Sequence, residues 1–117
     1  MPEIPFQLLT IVRLVNPAVP APDSPEDETI QAAHIRYLGS LVEQGLILAN
    51  GPVRRRDDQT LRGMSLYTVG PEEARALALQ DPGVKAGWFD LIIDQWMIPV
   101  RPKTIADRTD LVIDLPD

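Results

Sequence analysis

Cysteine is absent from the 117 residues, which removes disulfides, thiolate metal sites and cysteine nucleophiles from consideration. A chain without cysteine fits a reducing compartment, and a cytoplasmic location is the expectation. Histidine occurs once, as His34, with carboxylates scattered along the chain. That gives no metal-ligand spacing, so no metal site is expected. No apolar run approaches the roughly 18–20 residues of a membrane helix. The longest candidates, residues 7–15 and 91–100, are broken by polar residues or cut by Pro99. The opening MPEIPFQ lacks a basic stretch ahead of an apolar one, so no secretory signal is expected. Lysine and arginine total 11 against 17 acidic residues, a formal charge of −6, which disfavours a surface made to neutralise phosphates. Neither nucleic acid nor a membrane is an expected partner. Glycine-rich phosphate loops and dinucleotide fingerprints are also missing, and no cofactor is expected.

What is present is a globular composition, 44% apolar and 24% charged. The length suits one domain of the common size. A chain of this size buries roughly two-thirds of its unfolded surface, enough for one core.

Residues 6–16 read as a first strand, with Leu8, Thr10, Val12 and Leu14 alternating with Leu9, Ile11, Arg13 and Val15. Apolar residues on both sets predict a central strand covered on two faces. Four prolines follow within residues 17–25, marking a loop. Ser24 then serves as N-cap, Pro25 opens a helix, and Glu26, Asp27 and Glu28 lie at its positive end. The helix is predicted over 25–44 and stopped by Gly45. Ile30, Ala33, His34, Tyr37, Leu38 and Leu41 form one stripe along it. A short strand is predicted over 46–50, closed by a tight turn at Gly51-Pro52, and a partner strand over 64–69. A second helix is predicted from Pro71 to about Gln80, then a turn at Asp81-Pro82-Gly83. A last strand is predicted over 88–98, which would set Trp88 and Trp96 on one face.

The order is β-α-β-β-α-β, the split arrangement of ferredoxin-like α+β domains with an antiparallel sheet and both helices on one face. The other face needs a cover. A second copy of the chain is the simplest one, so a homodimer or higher homo-oligomer is expected. Residues 1–100 form the expected domain. Residues 101–117 are expected as a tail, with Leu111, Ile113 and Leu115 alternating like an extra edge strand.

Four landmarks occur in a familiar order: His34 and Tyr37-Leu38 within HIRYLGSLVEQG, Gly51-Pro52, Asp81-Pro82, and a last strand rich in Trp and Ile. Together they resemble the YCII-related family over roughly residues 6–99. The resemblance implies a ferredoxin-like subunit whose dimer joins two sheets into a dimeric α+β barrel. It also implies a His–Asp pair at a pocket mouth, which falls on His34 and Asp81. The chain departs from the family pattern at Gly83, where an aromatic residue is common.

A histidine on an apolar stripe is read two ways, as a satisfied core residue or as a general acid/base, since an imidazole titrates near neutral pH. Asp81 before a proline either caps backbone amides or orients the His34 ring, as a carboxylate does in a catalytic triad. Gly51 and Pro52 are either a turn or a close approach to a substrate. Arg54-Arg55-Arg56 beside Asp57-Asp58 is a solvated loop or an anion site. Ser40 and Ser65 carry no nucleophile motif, so proton transfer is favoured over covalent catalysis. The expected function is a small-metabolite lyase or isomerase using His34 and Asp81. The alternatives are a non-catalytic ligand-binding or interaction module and, on the same barrel, an oxygenase.

Overall fold

The computed structural model describes residues 6–16 and 25–99. The tail read as an extra edge strand and the cap at Ser24 lie outside them. The elements are β1 (Phe6–Val15), α1 (Pro25–Glu43), β2 (Ile47–Pro52), β3 (Leu61–Tyr67), α2 (Pro71–Ala78), α3 (Pro82–Lys85) and β4 (Asp90–Pro99). The sheet order is β2-β3-β1-β4, and each neighbouring pair is antiparallel. This is the expected ferredoxin-like α+β arrangement, with β1 central and one added helical turn.

The ends of α1 follow from its sequence. Glu26, Asp27 and Glu28 occupy its first turn, where carboxylates interact favourably with the helix dipole. At its other end Gly45 takes a φ of 77°, a left-handed conformation that glycine reaches without a Cβ penalty. The Gly45 N–H donates to the Val42 carbonyl and the Leu46 N–H to the Leu41 carbonyl. These two bonds form a Schellman cap, which satisfies carbonyls the helix leaves open.

Between the helices and the sheet lies one core of Val12, Leu14, Leu38, Leu41, Ile47, Tyr67, Ala74 and Ala78. Leu41 is only 3% exposed, and burying such a side chain stabilises by about 1.5–3 kcal/mol. Polar ties fix the layers: the Tyr37 hydroxyl donates to the Leu77 carbonyl at 2.7 Å, joining α1 to α2, and the Thr10 hydroxyl donates to the Val69 carbonyl at 2.6 Å.

The face away from the helices carries Ile11, Arg13, Met64, Leu66, Ile92 and Trp96, which the register aligns across β3, β1 and β4. Met64, Ile92 and Trp96 are each more than a third exposed. Arg13 and Asp94 pair on the same face. Both are half-exposed, so the pair contributes little to stability.

Four local expectations need correction. Gly51 and Pro52 do not form a turn but end β2, an edge strand where proline is tolerated because one side of the backbone needs no donor. The partner strand covers Leu61–Tyr67 rather than 64–69, since β3 pairs with β1 as far as Val15. The Asp81-Pro82-Gly83 turn is the start of α3. Trp88 precedes β4, so Trp88 and Trp96 do not share a strand face.

Candidate active site

His34 projects from the inward stripe of α1, and Asp81 caps α3. Their side chains are 12% and 2% exposed. His34 Nδ1 lies 2.7 Å from both carboxylate oxygens of Asp81. Asp81 Oδ1 also accepts the Gly83 N–H at 2.9 Å. Asp81 thus caps α3 and at the same time contacts the His34 ring.

An ionised carboxylate only accepts hydrogen bonds, so with Asp81 ionised the contact has Nδ1–H as its donor. In the neutral ring that arrangement leaves the lone pair on Nε2. The neighbouring Tyr37 hydroxyl has its pKa raised, first by burial and then by the negative charge of Asp81. The same carboxylate thus acts on two polar groups of α1.

His34 lines a cavity of about 560 Å³. Its apolar wall comes from Leu14, Ile35, Leu38 and Phe89, and Gln31 and Asn50 add polar groups. Gly51 and Pro52 border it as well, so those two residues and His34 meet at one cavity although the chain separates them. Asp81 is not on the wall. Its contact with His34 Nδ1 makes it a support behind the imidazole. Of the glycines that line it, Gly63 is the constrained one, since a Cβ there would stand 3.1 Å from the Gly51 carbonyl oxygen.

The arginines at 54–56 lie in the loop between β2 and β3 and do not line this cavity. Among the described residues, no group of three or more metal-ligating side chains gathers, and no helix is long and apolar enough to cross a membrane.

Phe89, Gln31 and Asn50 were not singled out in the sequence. The strand predicted over 88–98 includes Phe89, whereas β4 begins at Asp90.

Residues 12–97 match the YCII-related domain, most of the chain. The chain belongs to the YCII-related family. Among solved structures it is similar to the 5-chloro-2-hydroxyhydroquinone dehydrochlorinase TftG of Burkholderia phenoliruptrix AC1100, in complex with 2,5-dihydroxybenzoquinone. Identity is 25%, the TM-score is 0.52, and the match covers 76% of this chain and 92% of that one. No curated protein matches the chain. The chain thus has the fold of the dimeric α+β barrel class.

Proposed function

We propose that this YCII-related protein is a homodimeric small-molecule enzyme of lyase or isomerase type in which His34 transfers a proton and Asp81 orients it. The observation that carries this reading is the His34–Asp81 contact, 2.7 Å long and behind a cavity to which only His34 of the pair is exposed. A carboxylate on Nδ1 fixes the tautomer and stabilises the imidazolium that forms when Nε2 accepts a proton. The cavity has the size of a small-metabolite site.

The dehydrochlorinase among similar structures supports the reaction class. Loss of hydrogen and chlorine from a substrate needs a base that accepts the proton while the electron pair moves to expel chloride. His34 would take that proton at Nε2 and return it to water. Gly51 and Pro52 would border the bound molecule. The apolar open sheet face, with Met64, Ile92 and Trp96 exposed, supports dimerisation through sheet-to-sheet contact.

Chloride release from 5-chloro-2-hydroxyhydroquinone is the first assay, with His34→Gln as the variant. General acid/base catalysis contributes about 10²–10⁴-fold, so the variant should lose that much in kcat/KM while keeping its fold. Turnover that persists at the wild-type rate in the variant contradicts the mechanism.

A further inference from the structure

The arrangement around Gly83 makes one side chain of the cavity stand out. A Cβ at Gly83 would lie 2.9 Å from Phe89 Cε2, 3.3 Å from Phe89 Cδ2 and 3.4 Å from His34 Nδ1. Any side chain at position 83 would therefore displace the Phe89 ring. With glycine there, that ring packs against the imidazole at a centroid distance of 5.5 Å and a tilt of 39°. It is also part of the cavity wall.

Its position is fixed from several sides. Trp88 meets Phe89 edge to face, with centroids 6.3 Å apart and planes at 82°. The Trp88 N–H donates to the Gly83 carbonyl at 3.0 Å, and the Asn16 side chain donates to the Trp88 carbonyl. The segment before β4 is thus tied both to α3 and to the residue that follows β1, and it holds an aromatic wall beside the candidate base.

We propose that Phe89 is the specificity-determining residue of the cavity, selecting a planar unsaturated ring that it holds beside His34, and that the missing side chain at Gly83 gives it this place. The inference rests on the reading of the His34 cavity as the substrate site. Aromatic pairs prefer offset or edge-to-face contact and gain beyond the area they bury. That gain corresponds to about 3- to 10-fold in affinity for a planar ring over a saturated one.

The test uses two probes that differ in ring character: hydroquinone, which is planar, and 1,4-cyclohexanediol, which is not. His34 is the only histidine, so its imidazole NMR signal reports binding without overlap. The wild type should bind hydroquinone about 3- to 10-fold more tightly than the diol. Phe89→Leu keeps an apolar wall and should bring the two affinities within about twofold. Phe89→Tyr keeps the ring and should retain the preference. A Phe89→Leu protein that discriminates as the wild type does overturns the assignment of Phe89 and leaves the His34 mechanism standing. Probes that both leave the wild-type His34 signal unmoved overturn the cavity reading and this inference with it.

Discussion

Replacing His34 with alanine removes the Nδ1–H that meets both oxygens of Asp81 at 2.7 Å. The Gly83 N–H, at 2.9 Å, is then the remaining donor among the described residues. Asp81 is 1% exposed with the imidazole in place, and a water entering from the cavity side would replace only part of the lost contact. A buried polar group left unsatisfied costs about 1–3 kcal/mol, and a buried charge stripped of its partner about 3–5 kcal/mol. The expected loss is thus about 2–4 kcal/mol. Asp81→Ala has a different cost. It removes the cap of α3, typically about 1 kcal/mol, together with the contact to His34. In the double variant no stranded carboxylate exists, so the summed single losses exceed the double loss. The expected coupling is about 1–3 kcal/mol. Urea unfolding at fixed protein concentration, followed by the fluorescence of Trp88 and Trp96, measures it. Losses that add to within about 0.3–0.5 kcal/mol would refute the argument that the two groups depend on each other.

Two further outcomes follow from other parts of the fold. Tyr67 is 1% exposed, and its pKa is pushed above the ordinary 10.0 by burial, then by Tyr37 and Asp81. The folded state therefore holds this proton more tightly than the unfolded one. Its contribution is full below pH 10 and is lost as pH rises further, by at most about 1.4 kcal/mol per pH unit. Tyr67→Phe should flatten the alkaline loss seen in thermal unfolding, and a curve parallel to the wild type contradicts this. Sedimentation at micromolar concentration should give a particle of twice the 13.0 kDa chain, and Trp96→Glu on the open sheet face should give the single chain. A wild-type particle of one chain contradicts the dimer.

The two longer helices and the order of elements along the chain were legible because their signals are local. Pro25 with its acidic turn starts α1, Gly45 stops it, and the stripe through His34 and Leu41 marks the face it buries. Alternation in β1 predicted a central strand, and β1 does pair on both sides. Where sequence failed, tertiary pairing decided. Gly51 and Pro52 read as turn residues, yet pairing of Gly51 with Met64 and Pro52 with Gly63 draws them into β2. Trp88 and Phe89 have strand-like character, but the hydrogen bonds of Trp88 to Gly83 and Asn16 hold them before β4. The His34–Asp81 pair, 47 positions apart, came from the family resemblance rather than from any spacing. Phe89 was invisible because its role depends on what Gly83 lacks.

The account rests on a proton held at Nδ1 of His34 by Asp81, with Nε2 left to act on a substrate. The ¹⁵N chemical shifts and ring-proton couplings of this single histidine at neutral pH measure that assignment directly. The expected spectrum shows a protonated Nδ1 and a bare Nε2. In Asp81→Asn the preference for that tautomer should weaken. A wild-type spectrum with the proton on Nε2 and none on Nδ1 would contradict the role of Asp81 and remove His34 as the base.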